Sequence, residues 1–214
     1  MPFGGDGIVD VQDLVALSEH LFEDYRIIAH WMLDETEGDV AYDSAATHDA
    51  VLMGNAFWQP EGGQSGGALQ LDGAGDYVQT PNVLNPADGA FSIFAWVQGG
   101  APGQVILSQV DGENWLMLDA QGSLKTTLKG SRRDPDLAST AAITDDAWHR
   151  VGFTMDGKNR ILYLDDSEVA RDSQTGLQGS EGDLFIGAGT SLDPGTFWSG
   201  MIDDVRIYDR AITP

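Results

Sequence analysis

Two adjacent carboxylates, Asp203 and Asp204, interrupt the alternating run Gly200-Met201-Ile202-Asp203-Asp204-Val205-Arg206-Ile207-Tyr208. Alternation of apolar and polar residues marks a half-buried strand, in which neighbouring side chains point to opposite faces. One of the two acids is therefore expected to point inward. A buried carboxylate needs a cation or several donors. A calcium ion meets that need with oxygen ligands alone; Arg206 or a turn N–H is the alternative. A second chemical feature is Lys129-Gly-Ser-Arg132-Arg133-Asp134-Pro-Asp136, the one basic cluster in an acidic chain. Arg132 and Arg133 could grip a carboxylate or sulfate on a polysaccharide or a protein; pairing with the abundant local aspartates is the favoured alternative. A third is tryptophan. Sugars are held by aromatic platforms and planar polar side chains. Trp58, Trp115 and Trp198 adjoin loops and polar residues and are expected at the surface. Trp31, Trp96 and Trp148 lie inside alternating strands and are expected in the core.

Other chemistries are poorly supplied. The chain has no cysteine, so disulfides and cysteine zinc sites are excluded. Its four histidines (His20, His30, His48, His149) include no i, i+4 pair. His149, between Trp148 and Arg150 at the start of a strand, is read as a rim or packing residue.

The elements that must position these residues are strands. Runs such as Ala68–Leu71, Phe91–Val97, Gln104–Gln109, Trp115–Leu118, Trp148–Met155, Arg160–Leu164 and Phe197–Tyr208 are separated by Asp-Gly, Gln-Gly and Asp-Asp turns. Many short strands with turn signals and no crossover helices predict an all-β, two-sheet antiparallel sandwich. Met155–Arg160 is expected to form a hairpin. One amphipathic helix is expected over residues 10–24, from Val11, Leu14, Val15, Leu17, Leu21 and Phe22. This divides the chain into 1–25, a loop and helix, and 26–214, the sandwich. A length of 214 residues suits one substantial domain.

Net charge is −23, from 34 acidic and 11 basic residues. That argues against nucleic acid and anionic membrane surfaces, which need basic patches. No apolar run approaches the roughly 20 residues of a membrane span, so no membrane insertion is expected. No charged-then-apolar leader follows Met1.

Two resemblances follow from these segments. Asp6-Gly7-Ile8-Val9-Asp10-Val11-Gln12-Asp13 is similar to the second half of a dockerin-type, EF-hand-like calcium loop, with Asp6, Gly7, Asp10 and Asp13 at positions 5, 6, 9 and 12. Pro2 and Gly4 offer no side-chain ligand at positions 1 and 3, so calcium binding there is expected to be weak or absent. Residues 26–214 resemble the laminin-G-like, concanavalin A-like jelly rolls of bacterial surface and secreted proteins. Ala29–Glu35, Ala41–Ser44, Gly67–Val78, Phe91–Val97, Trp148–Val151, Leu162–Asp166 and Ile202–Tyr208 carry that resemblance in order. It implies two curved sheets, an extracellular or cell-surface location, and a structural calcium on the convex side. The implied ligands are Asp203 with Glu35 and Gly73; Asp43 and Asp76 are further candidates, or simply turn caps.

The resemblance also extends to glucanases, whose Glu-x-Asp-x-x-Glu strand supplies a nucleophile and an acid. Here Tyr42 and Ile186 stand where the second Glu is required after Glu37-Gly38-Asp39 and Glu181-Gly182-Asp183. The expected function is a non-catalytic binding module with a glycan or a surface protein as partner, its working surface on the concave sheet, opposite the calcium. A structural, self-associating domain is the alternative, and a hydrolase the third reading.

Overall fold

The computed structural model describes residues 27–214. The expected helix and half-loop of residues 1–25 lie outside the described residues. In chain order the strands are β1 (Ile27–Trp31), β2 (Val40–Ala41), β3 (Ala50–Met53), β4 (Phe57–Gln59), β5 (Ala68–Asp72) and β6 (Tyr77–Thr80). Then come β7 (Phe91–Gly99), β8 (Val105–Gln109), β9 (Asn114–Leu118), β10 (Ser123–Thr126) and β11 (Leu137–Ala142). The last five are β12 (Trp148–Met155), β13 (Asn159–Leu164), β14 (Ser167–Ser173), β15 (Leu184–Ile186) and β16 (Ser199–Tyr208).

These form two antiparallel sheets. The first runs β14-β13-β12-β7-β16-β5-β4, with β1 also paired to β16. The second runs β11-β10-β9-β8-β15-β6-β3-β2. The all-β sandwich expected from the strand pattern is therefore observed. The hairpin at Met155–Arg160 joins β12 to β13, and Asp156 closes it by accepting the N–H groups of Lys158 and Asn159. Asp165 and Asp166, both at positive φ (48° and 63°), make the tight turn from β13 to β14.

The core lies between the sheets. Leu69, Leu71, Ile93, Ala95, Val97, Val151, Phe153, Ile202 and Val205 face it from one side, Val78, Ile106, Leu116, Leu118, Leu124, Leu184 and Ile186 from the other. Burying one such large side chain contributes about 1.5–3 kcal/mol. Alternation then sends Phe94, Trp96 and Gln98 of β7 to the outer face of the first sheet. That face is divided into three parts. At one end Phe94, Tyr163 and Tyr208 form a second apolar cluster, over which the C-terminal segment is tied by Ile212 N–H to Ser92 Oγ and Thr154 Oγ1 to Ile212 O. In the middle, loop 60–67 covers Asp203. The remaining end is open.

Candidate functional site

The double acid of β16 does not point into the core. The ladder between β16 and β7 shifts register between Asp203 and Arg206, and Asp204 adopts φ 52°. A bulge adds a residue to one strand and breaks strict alternation. Ile202 and Val205 keep their core positions, and both acids leave on the outer side. The expectation that one must face inward is thus corrected: a bulge, invisible to period-two reasoning, accommodates the pair. Asp204 accepts from His30 Nε2 (2.7 Å) and Arg206 Nε (2.9 Å). Burial opposes its charge, but these two partners hold its carboxyl below the usual range.

Asp203 is nevertheless fully buried, because loop 60–67 lies over it. Its Oδ2 accepts the N–H groups of Gln64 (2.8 Å) and Ser65 (3.0 Å). Its Oδ1 is buried with no partner. Burial, with the charges of Asp204 and Asp34 nearby, pushes the carboxyl up to about 6 despite the two N–H donors. Asp34, which the sequence reading passed over, supports the same loop by accepting Gly67 N–H (2.6 Å).

The other expected calcium ligands are scattered. Gly73 turns against Ser199. Ser199 is four residues from Asp203 along β16, about 13 Å at strand rise, so Gly73 and Asp203 cannot share an ion; the resemblance placed Gly73 correctly in a turn but on the wrong end of the strand. Glu35 Oε1 accepts Tyr42 N–H (2.8 Å), while its Oε2 is buried without a partner. Asp43 is a turn cap. It accepts from the backbone N–H of His30, Ala45 and His48 and from His48 Nδ1, at 2.9–3.0 Å. Burial works against its charge, and these donors outweigh it. Asp76 caps likewise, accepting Asn55 N–H (2.6 Å) and Asp72 N–H (3.2 Å). Among the described residues no three acidic or histidine side chains gather into a metal-binding group. Two buried, unpartnered carboxylate oxygens, Asp203 Oδ1 and Glu35 Oε2, are the features of the set that fit an oxygen-seeking cation.

Trp31 is fully buried as expected, but Trp96, Trp115, Trp148 and Trp198 exchange places relative to expectation. Trp115 and Trp198 are fully buried. Trp115 packs on Phe91 with ring centroids 5.5 Å apart. Trp198 lies flat on Gly100, where a Cβ would come within 2.4 Å of the ring. Neither can meet a ligand. Trp58 is partly buried beside the core and donates its indole N–H to Gly38 O (2.9 Å). Conversely, Trp96 and Trp148, expected inside, are partly exposed on the outer face of the first sheet. Each faces away from the core because the inward places on β7 and β12 are taken by Val97, Val151 and their alternates.

This face holds the most sugar-like arrangement in the molecule. Phe57 pairs with Gln70, Gln70 with Met201, Met201 with Gln98, and Gln98 with Trp148. The result is one straight row across five strands, ~19 Å long at the usual spacing of about 4.8 Å. It has an aromatic ring at each end and two amides between. Phe57 is 53% exposed. The amide groups are held in place: Gln98 donates to Asp146 O (2.9 Å), and Gln70 donates to Leu71 O (3.0 Å) and Gly200 O (3.2 Å). Their Oε1 acceptors are left for other donors. Beside the row lies a groove of ≈450 Å³, lined by Gln70, Asp72, Gln98, Asp146, Ser199 and Met201. Its floor is bare backbone at Gly99 and Gly200; a Cβ on Gly200 would sit 2.1 Å from Gln98 O. Such close backbone approach is what strand glycines permit.

Arg132 and Arg133 are exposed on the β10–β11 connection. The alternative that they pair with nearby aspartates does not hold. Asp136 is engaged by Lys125 (2.7 Å) and Lys129 (2.9 Å), and Asp134 accepts Ser131 N–H (2.8 Å).

Comparison with known proteins agrees with this architecture. A laminin-G-type family model, described as the concanavalin A-like lectin/glucanases superfamily, matches residues 72–214, well over half of the chain. No curated protein matches. Among solved structures, the chain is similar to the binding domain of paraclostridial mosquitocidal protein 1 (TM-score 0.69, 15% identity, 87% of this chain and 49% of that one). It is similar to domain 4 of AbnA, a GH43 extracellular arabinanase from Geobacillus stearothermophilus, solved with arabinotriose (TM-score 0.68, 20% identity, 88% and 95%). It is also similar to Trypanosoma rangeli sialidase, solved with sialic acid (TM-score 0.66, 19% identity, 87% and 31%). The chain thus spans about half of the toxin domain and under a third of the sialidase.

Proposed function

We propose that this chain, which belongs to the concanavalin A-like lectin/glucanases superfamily, is a non-catalytic carbohydrate-binding module that works outside the cell. The observation that carries this reading is the Phe57–Gln70–Met201–Gln98–Trp148 row. A sugar ring stacks its C–H face on an aromatic ring and offers its hydroxyls to fixed acceptors. The row provides stacking surfaces at both ends and amide oxygens between them, a few well-placed polar groups beside apolar surface. Among the described residues no helix is long and apolar enough to cross a membrane. The arabinanase domain solved in complex with arabinotriose makes that oligosaccharide the first probe to use.

Trp148→Ala is expected to weaken glycan binding by at least tenfold, since truncating an aromatic anchor that the ligand covers typically removes about 2 kcal/mol or more. Because Trp148 is only partly buried at a strand end, its melting temperature should stay near wild type. Titration of wild type and variant with arabinotriose, followed by a neutral glycan array, decides this. Equal binding by Trp148→Ala, or no neutral glycan bound by the folded wild type, rejects the site.

A structural calcium belongs to the same reading. Asp203 Oδ1 and the carbonyls of loop 60–67 would hold it, with Asp34 adjacent. The ion would supply the positive charge that Asp203 lacks and tie β16 to the loop. An ion bound only by the folded state raises stability by about 2.7 kcal/mol at 100 times its Kd. Calcium should therefore raise the melting temperature over that in excess chelator, and Asp203→Asn should abolish the rise. A rise that persists in Asp203→Asn assigns the ion elsewhere.

A further inference from the structure

We propose that the connection between β10 and β11 is a second binding site, separate from the tryptophan row, and that it takes a carboxylated sugar of the uronate type. Four of the 11 basic residues fall between Lys125 and Arg133. Two of them, Lys125 and Lys129, share Asp136. The other two are exposed, and among the described residues neither Arg132 nor Arg133 makes an ion pair.

The loop that carries them is clamped from beneath. Arg160 is fully buried and donates to Leu128 O and to Pro135 O (3.0 Å), one carbonyl at each end of the loop. Its guanidinium is fixed in turn by Asp172, through Nε (2.9 Å) and a second bond from Nη2. Gln178 N–H to Lys129 O (2.8 Å) adds a third tie. The backbone bearing the two arginines is therefore ordered before any ligand arrives. Binding has to immobilise only the side chains, at about 0.5–1.5 kcal/mol each.

The surroundings of Arg132 select the ligand. It opens on a cavity of ≈220 Å³ lined by Asp111, Gly112, Glu113, Gln178 and Gly179. A guanidinium fork matches a planar carboxylate in bidentate fashion. The carboxylates of Asp111 and Glu113 oppose any anion in this space, more strongly the higher its charge density, and they accept hydrogen bonds from hydroxyls. A uronate carries both a carboxylate and hydroxyls, so it satisfies the arginine and the acids together. The chain as a whole, at net charge −23, repels a polyanion, which confines such a ligand to this one basic loop.

Affinity electrophoresis of the full chain through gels containing polygalacturonate, dextran sulfate or neutral arabinan tests the proposal. Polygalacturonate should retard the wild type more than dextran sulfate does. Arg132→Gln/Arg133→Gln should lose at least tenfold in affinity for polygalacturonate. Arg132→Lys/Arg133→Lys, which keeps the charge but not the fork, should recover only part of it. Both arginines are exposed, so melting curves of these variants should match wild type. Trp148→Ala should leave polygalacturonate binding intact, which separates this site from the neutral-glycan row. No retardation by polygalacturonate, unchanged binding in the Gln variant, or equal retardation by dextran sulfate each overturns the uronate site. Binding of an acidic protein in place of polygalacturonate overturns it in favour of a protein partner.

Discussion

Arg160→Met is expected to be among the most damaging single substitutions in the molecule. Arg160 is fully buried at the foot of the β10–β11 loop, where it meets the Asp172 carboxylate and the carbonyls of Leu128 and Pro135. Methionine fills similar volume but donates nothing. Removing one partner of a buried charge network costs about 3–5 kcal/mol, because the groups left behind stay desolvated without a donor. For a domain of this size, that lowers Tm by about 6–20 °C. Asp172 keeps some access to water, so the outcome should fall toward the lower end of that range. The substitution should also loosen the loop that presents Arg132 and Arg133, raising amide exchange at residues 128–136 above that of β12. Thermal melting and hydrogen exchange read the two effects separately. A stability loss under 1 kcal/mol would show that the loop holds its shape without the clamp.

The second large effect is the pH dependence at Asp203. Its carboxyl is raised from 3.8 to about 6, which places the folded pKa above the unfolded one. Between those values the folded protein holds a proton that the unfolded chain has released. The contribution of Asp203 to stability is therefore greatest below pH ~4. It falls as pH rises through the folded pKa, and above that it is unfavourable by ~3 kcal/mol. In excess chelator, Asp203→Asn should be more stable than wild type at pH 7.5, by up to ~3 kcal/mol, with the gap closing toward pH 4. The difference between the two proteins is the quantity to follow. Asp43, Asp136 and Asp204, all held below the ordinary range, push both proteins in the opposite direction. In saturating calcium the order should reverse, because only wild type can use the ion. Denaturant unfolding at four or five pH values, with and without calcium, measures this. A wild type that is the more stable protein at pH 7.5 in chelator would refute the uncompensated carboxylate.

The strands that could be read from the chain are those with apolar residues on alternate positions over a sufficient length. Alternation marks both ends of Trp148–Met155, and the ends of β5, β7, β8 and β16 to within about two residues. The strands missed are short or lack apolar alternation: β2, β3 and β4 run two to four residues, and β11 (Leu-Ala-Ser-Thr-Ala-Ala) and β14 (Ser-Glu-Val-Ala-Arg-Asp-Ser) are edge strands. An edge strand faces solvent along one side, so its composition carries little of the pattern that burial imposes. The missed β4 matters for function, since it contributes Phe57, one end of the candidate sugar row. The Arg132–Arg133 pair is legible because its signal is compositional, two adjacent cations in a chain dominated by acids; that neither pairs with an aspartate is visible only in the structure. Its clamp is not legible, since Arg160 and Asp172 lie 25 or more residues downstream and meet the loop only across the sheets.

The sequence by itself determined the all-β class, the position of the principal strands and turns, the acidic surface, and the identity of Asp203 as an acid under unusual constraint. Those properties are local: period-two burial, turn chemistry and net charge are written residue by residue. The tertiary structure alone decided which residues are available for work. A bulge at Asp203–Asp204 turned both acids away from the core, and a loop from another part of the chain, residues 60–67, then buried one of them. Parity on β7 and β12 brought Trp96 and Trp148 to the surface, while Trp115 and Trp198, beside loops in sequence, were enclosed by Phe91 and Gly100. Facing is set by register, bulges and whatever segment folds over a sheet. Each of these depends on contacts between residues far apart in the chain, which no local pattern records.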